Sequence, residues 1–157
     1  MTATLTDMPS RREAEIATSN PDYLIGEGCD REVYHIPGSR WVYKSLMKHG
    51  QDMANTYELQ KYNELKGNLP KGMAIPEVVY IDSQTIACEY VGGKHPDSDC
   101  YIGWHCPECV NPATCWIRYF DTLPKTPITD IHSFNVKITE DGTYWLIDLG
   151  EPDENQF

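Results

Sequence analysis

The amino-acid sequence predicts an α+β fold with five short strands, one main helix and an oxygen-rich hairpin near the end of the chain. Apolar residues at near-helical spacing between residues 48 and 66, followed by Gly67, predict the helix. An Asp-Gly pair between two apolar runs, within residues 128–151, predicts the hairpin. Runs of β-prone residues bounded by turns predict the strands, at 23–25, 32–36, 40–44, 77–81 and 85–89.

Length and composition limit the class of protein. A chain of 157 residues is long enough for one domain with its own core, and we expect residues 1–20 to be a polar tail or short helix ahead of a domain at 21–157. A formal net charge of −11 argues against nucleic acid as a partner, because phosphate binding needs a basic surface. No apolar run approaches membrane-spanning length and no signal-peptide core is present, so the sequence predicts a cytoplasmic protein without a membrane partner.

The first three predicted strands carry a glycine-rich turn and a lysine. Gly26 and Gly28 lie between the first two strands, where glycine lets backbone N–H groups approach a phosphate. Val33 follows on the second strand, and Lys44 ends the third. A Gly-x-Gly-x-x-Gly loop would have its third glycine at the position of Arg31, so the sequence keeps two of the three.

The predicted helix places a carboxylate on its apolar side. Glu58 lies seven residues before Leu65, and an unpaired buried carboxylate there would be costly. Lys44 is the expected partner of this carboxylate. The alternative is a solvated Glu58 beside Lys61, with Glu64 as the next candidate for the pair with Lys44.

Oxygen-bearing side chains lie at or near the ends of the predicted hairpin. Asp130 and Asn135 precede its first strand, and Asp148 follows its second strand. Hard divalent cations such as Mg²⁺ bind through oxygen clusters of this kind. The sequence therefore predicts that these three side chains can converge on a metal ion.

Taken in order, these features resemble the protein kinase-like superfamily. The pattern Asp-x4-Asn, hairpin, Asp-Leu-Gly is similar to its catalytic loop and metal-binding Asp-Phe-Gly, in the form of the aminoglycoside and choline phosphotransferase branch. The run CEYVGG at 88–93 resembles the hinge that hydrogen-bonds adenine, with Cys88 at the gatekeeper position. The resemblance implies a kinase-like N-lobe at 21–91, which is a five-stranded antiparallel sheet plus the αC helix, and a much reduced C-lobe ending just after Asp-Leu-Gly.

The resemblance also implies a role for each polar position. Lys44 would hold the α- and β-phosphates of ATP, with Glu58 orienting it. Asn135 and Asp148 would bind Mg²⁺, and Asp130 would accept the proton of the substrate hydroxyl. The residues implied to contact the nucleotide are Gly26, Gly28, Val33, Lys44, Glu58, Glu89 and Val91.

The segment at 94–115 departs from the family pattern because it is rich in cysteine where a kinase has helices. Tetrahedral zinc suits four thiolates around a Cys-x-x-Cys, so a structural zinc site is one interpretation. Free thiols packed against tryptophan are the alternative. Six cysteines without a secretion signal favour either of these over disulfides. The candidate zinc ligands are Cys100, Cys106, Cys109 and Cys115.

Two hypotheses about function follow. The first is a minimal ATP- and Mg²⁺-dependent phosphotransferase, similar to a serine/threonine kinase, that acts on a hydroxyl of a protein or small molecule. The second is a kinase-like binding module, weak or inactive in catalysis, that docks onto and modulates a host protein. Residues 151–157 are too few for an activation segment and helical C-lobe, so the cysteine-rich insert or a partner subunit, such as a second copy, would hold the substrate. Compact chains of this make-up resemble small kinase-like proteins encoded by bacteriophages and mobile elements, and a phage-encoded protein would act in the bacterial host cytosol.

Overall fold

The computed structural model describes residues 7–28, 30–48, 53–69, 71–95 and 135–149. Within these ranges the chain forms two α-helices, a short 3-10 helix at Pro21–Tyr23 and eight strands, a mixed α+β composition as predicted. Neither of these helices is long and apolar enough to cross a membrane. The elements are α1 (Arg11–Ser19), β1 (Leu24–Glu27), β2 (Arg31–His35), β3 (Trp41–Leu46), α2 (Ala54–Leu65), β4 (Met73–Ala74), β5 (Val78–Tyr80), β6 (Thr85–Glu89), β7 (Val136–Ile138) and β8 (Tyr144–Leu146).

The chain divides into two compact units. The first contains Met1–Gln60 and Glu77–Tyr90, and the second contains Lys61–Pro76 and Val91–Phe157. One boundary therefore falls within α2. Another falls between residues 90 and 91, inside the segment that the sequence predicts to be a hinge.

The first unit is built on the five-stranded antiparallel sheet that the sequence predicts. Its strand order is β1-β2-β3-β6-β5, so β3 lies at the centre and pairs with β2 and β6. All four residues from Trp41 to Lys44 are buried. Because successive side chains of a strand point to opposite faces, this burial shows that both faces of β3 are covered.

Helix α1 covers one face of this sheet. Ser10 caps its start, since the Ser10 hydroxyl accepts a hydrogen bond from the backbone N–H of Glu13 at 3.1 Å. The small side chains of Ala14 and Ala17 let the helix pack closely on the sheet. The sequence predicts a polar tail or a short helix here, and the structure forms a helix. The buried cluster consists of Ala14, Ala17, Tyr34, Ile36, Trp41, Tyr43 and Ala87.

Helix α2 is the main helix that the sequence predicts, with a later start. It begins at Ala54 rather than near residue 48, and residues 49–52 lie outside the described ranges. It ends at Leu65, and Gly67 follows with a φ of 81°, a conformation that glycine adopts without strain. The predicted stop signal is therefore confirmed.

The second unit contains a three-stranded sheet in the order β4-β8-β7. Strands β7 and β8 form the predicted antiparallel hairpin, and Gly142 in its turn has a φ of 82°. Strand β4 pairs with β8 in parallel, a pairing that the sequence did not predict. With only two residues, β4 is too short to show the alternation that identifies a strand.

The backbone after β6 runs beside β7 at close range. Lys94 and Ile138 exchange two backbone hydrogen bonds, of 3.0 and 2.7 Å. A Cβ atom at Gly93 would lie 2.5 Å from the carbonyl oxygen of Ile138, which is closer than real side chains approach. Glycine at this position is therefore required by the approach of two backbones within the second unit.

Replacing Gly93 with alanine should destabilise the second unit. The added methyl group would force the backbone away from Ile138, and overpacking of this kind costs roughly 1–3 kcal/mol. Urea unfolding followed by tryptophan fluorescence would measure the loss. Gly26→Ala is the matched control, because its Cβ would meet nothing closer than 3.9 Å. Equal stability of the two variants would contradict the close approach at Gly93.

Candidate functional site

A buried ion pair joins β3 to α2 in the first unit. The Nζ atom of Lys44 lies 2.6 Å from Oε1 of Glu58, and these residues are 5% and 1% exposed. Lys44 faces away from α1 because Trp41 and Tyr43 occupy the opposite face of β3. The structure thus brings together the pair that the sequence predicts, and Glu58, rather than Glu64, is the partner of Lys44.

Arg31 is a second cation on the same carboxylate, and the sequence did not predict this contact. Its Nη1 atom donates to Oε2 of Glu58 at 2.5 Å and to Oδ1 of Asn55 at 3.1 Å. The register of β2 and β3 pairs Val33 with Lys44. Since residues two apart on a strand share a face, Arg31 lies on the same face as Val33 and Lys44. That periodicity is the signal that could have identified Arg31.

Asn55 connects this ion-paired group to the rest of the sheet. Its Nδ2 atom donates to the carbonyl oxygen of Gln84 at 3.0 Å and to that of Lys44 at 3.5 Å. Asn55 precedes Glu58 by three residues, so both side chains lie on one side of α2. We refer to Arg31, Lys44, Asn55 and Glu58 as the Glu58 cluster. All four residues are at least nine-tenths buried.

The proposed gatekeeper lies on the same face of the sheet as Lys44. Register places Cys88 of β6 opposite Val42 of β3, and Ile86 opposite Lys44. The Sγ atom of Cys88 is 4.0 Å from Oε1 of Glu58, and the residue is 1% exposed. Cys88 therefore borders the Glu58 cluster.

The glycine-rich turn leaves its backbone uncrowded. Gly26 pairs with Val33, and the N–H of Gly28 donates to the carbonyl of Arg31 at 2.9 Å. A Cβ atom at Gly26 or Gly28 would meet its nearest neighbour at 3.9 Å, and neither glycine has a positive φ. Within the described part of the chain, neither packing nor backbone conformation requires glycine at these two positions. Residue 29, between this turn and β2, lies outside the described ranges.

The predicted hinge residues belong to different units. In the first unit, Glu89 ends β6, and the N–H of Tyr90 donates to the carbonyl of Arg40 at 2.7 Å. In the second unit, Val91 is 6% exposed, and its carbonyl accepts a hydrogen bond from Nζ of Lys137 at 2.8 Å. The sequence did not predict the contact between Val91 and Lys137, because these two residues are far apart in the chain.

The two metal-ligand candidates that the structure describes lie at one end of the hairpin in the second unit. Asn135 directly precedes β7 and is 8% exposed, and its carbonyl accepts from the N–H of Ile147 at 2.8 Å. This bond places the residue before Asp148 beside the start of β7. Both side chains offer oxygen atoms suited to Mg²⁺.

Other predicted site residues lie outside the described ranges. They are Asp130, which is the proposed base, and the four cysteines that are proposed to bind zinc. Among the residues that are described, no group of three or more His, Cys, Asp or Glu side chains forms a metal site. The predicted set is Asp130, Cys100, Cys106, Cys109 and Cys115.

The chain matches no protein-family model and no curated protein. Its function is therefore inferred from the residues themselves. In the first unit these are the Glu58 cluster and the uncrowded glycine turn. In the second unit they are the Asn135–Asp148 end of the hairpin and the Val91–Lys137 contact.

Removing the Glu58 carboxylate should strongly destabilise the first unit. Glu58→Ala would leave Arg31 and Lys44 buried without their shared carboxylate, and breaking a buried pair in this way costs about 3–5 kcal/mol. Chemical denaturation would measure the free energy of unfolding. Glu15→Ala on the exposed side of α1 is the control, with an expected change within about 0.5 kcal/mol. A loss below about 1 kcal/mol in Glu58→Ala would show that the carboxylate is not the shared partner.

Proposed function

We propose that the chain is an ATP- and Mg²⁺-dependent phosphotransferase with a kinase-like N-lobe. It would transfer the γ-phosphoryl group to a hydroxyl of a protein or small molecule. The observation that carries the proposal is the buried ion pair between Lys44 of the central strand and Glu58 of the helix that follows it. The five-stranded antiparallel sheet, with Cys88 beside the pair, supports the same assignment.

The Glu58 cluster suits the binding of phosphate. Burial of a lysine ammonium is unfavourable unless a carboxylate compensates it, and Glu58 does so at 2.6 Å. Arg31 donates to the carboxylate from the strand side, and Asn55 on the helix accepts a hydrogen bond from the same Arg31 nitrogen. Phosphoryl transfer depends mostly on positioning and charge neutralisation, so a rigidly held ammonium is a useful group for binding α- and β-phosphates.

The glycine turn supports the proposal independently. Among the described residues, Gly26 and Gly28 have room for a Cβ, so neither the packing of those residues nor positive φ accounts for glycine there. Close approach of a phosphate to the backbone N–H groups would account for both. Val33, paired with Gly26, would contact the base.

The metal would bind in the second unit. Asn135 and Asp148 would contribute one oxygen each, and phosphate oxygens and water would complete the octahedron that Mg²⁺ prefers. Asp130 would accept the proton from the substrate hydroxyl as the oxygen attacks the γ-phosphorus.

A structural zinc ion held by the cysteine-rich insert is part of the proposal. His95, at the start of this segment, hydrogen-bonds the carbonyl of Val136 through Nδ1 at 2.9 Å. Because a carbonyl oxygen only accepts, Nδ1 is the donor in this bond. Metal-binding histidines are often oriented by such a bond.

Metal analysis of the purified protein should find about one zinc per chain. The double variant Cys106→Ser/Cys109→Ser should lose it, because removal of two thiolates leaves too few ligands for a tetrahedral site. Cys88→Ser, whose thiol is buried on β6, should retain it. A wild-type content below about half an equivalent would refute the zinc site without affecting the phosphotransferase proposal.

Label transfer from ATP tests the proposed activity. We expect the wild type, with Mg²⁺ and either alone or with cell lysate, to transfer the γ-phosphoryl group. Lys44→Met, Asp130→Asn and Asp148→Asn should each lower the rate by about 100-fold or more, since each removes a charge that stabilises or prepares the transition state. Lys48→Met is the matched control, because Lys48 is exposed just beyond β3 and should be dispensable.

The outcomes of this experiment separate the two hypotheses. No transfer, together with no stabilisation of the wild type by Mg-ATP in thermal unfolding, would refute the phosphotransferase. Stabilisation by Mg-ATP without transfer to any acceptor would favour the kinase-like binding module. Transfer that persists in all three variants would show that the assigned residues do not perform the reaction.

A further inference from the structure

Lys137 contacts the predicted hinge backbone, and the proposed reaction gives it no role. It lies in the middle of β7, opposite Trp145 of β8, and its Nζ donates to the carbonyl of Val91 at 2.8 Å. Burial lowers the pKa of the Lys137 ammonium. The carbonyl bond offsets part of the cost of that burial.

Backbone contacts within the second unit hold the segment of Val91 beside the strand of Lys137. Two backbone hydrogen bonds join Lys94 to Ile138, the residue after Lys137. Gly93 permits the close approach of the two segments. The backbone next to Val91 and the backbone next to Lys137 are therefore paired, and this pairing keeps the two residues close to each other.

The contact changes the hydrogen-bonding character of this end of the hinge. A backbone carbonyl accepts hydrogen bonds and would favour an amino group on a base. An ammonium only donates, so the same end of the hinge also favours an acceptor. Adenine has an amino group at its 6-position, whereas guanine has a carbonyl oxygen there.

We propose that Lys137 is a specificity-determining residue that lets the site take a 6-oxopurine nucleotide, such as GTP, as well as ATP. The inference rests on the proposed function, because it assumes that a purine base lies against the hinge. The ammonium of Lys137 donates to the O6 atom of guanine, while adenine binds through the remaining backbone groups. The phosphoryl donor is then a purine nucleoside triphosphate rather than ATP alone.

Calorimetry with Mg²⁺ and non-hydrolysable analogues of ATP and GTP tests this inference. We expect the wild-type dissociation constants for the two analogues to lie within about tenfold of each other. Lys137→Met should weaken the GTP analogue by at least about tenfold, the loss of roughly one hydrogen bond, and the ATP analogue by less than about threefold. Lys94→Met, an exposed lysine in the same segment, should leave the ratio unchanged.

Each other outcome is decisive. If the wild type binds the ATP analogue more than tenfold tighter than the GTP analogue, or if Lys137→Met leaves the ratio unchanged, the inference is wrong and the phosphotransferase proposal stands. If the wild type binds neither analogue, both fail. Lys137→Gln, which keeps a donor but not the charge, serves where the methionine variant does not fold, and it should weaken the GTP analogue by a smaller factor.

Discussion

The candidate site depends on the ion pairs that the buried Glu58 carboxylate forms with two cations. It lies at 1% exposure and accepts hydrogen bonds from two cations, Arg31 of β2 and Lys44 of β3. A buried carboxylate is tolerated only where such partners compensate the loss of water. The helix position, the strand register and the charges of the partners must therefore all agree. Replacing a buried ion pair with apolar residues is often neutral or stabilising, so we interpret the Glu58 cluster as serving position and function rather than stability.

Arg31 has a role that differs from the one its place in the glycine loop implies. A Gly-x-Gly-x-x-Gly loop would have its third glycine at this position. In the structure Arg31 instead points inward and binds Glu58 and Asn55. The strand that follows the glycine turn is thereby joined to α2 by an ion pair of its own. Within the first unit, the orientation of Glu58 depends on β2 as well as on β3.

The second unit is organised by a close approach of two backbones. Gly93 lies against the carbonyl of Ile138, and Lys94 pairs with the same residue. This approach brings Val91 within reach of Lys137, and it brings His95 to the carbonyl of Val136. The strand β7 thus contacts the segment that follows β6, and Asn135 lies directly before this strand. The same hairpin would serve both base recognition and metal binding in the proposed enzyme.

The sequence by itself determined the local features of this protein. Runs of β-prone residues bounded by turns identified the strands of the five-stranded sheet, and Gly67 identified the end of α2. The position of Glu58 on the apolar side of the helix indicated that it needs a cation, and Lys44 was the expected partner. Only the tertiary structure decided the contacts of Arg31, Asn55 and Lys137, because each depends on a partner that is distant in the chain and on a strand register that local patterns leave open. The covering of the sheet by α1 is a further case. Its small apolar residues carry a weak local signal, and their burial follows only from the apolar face of the sheet on which they pack.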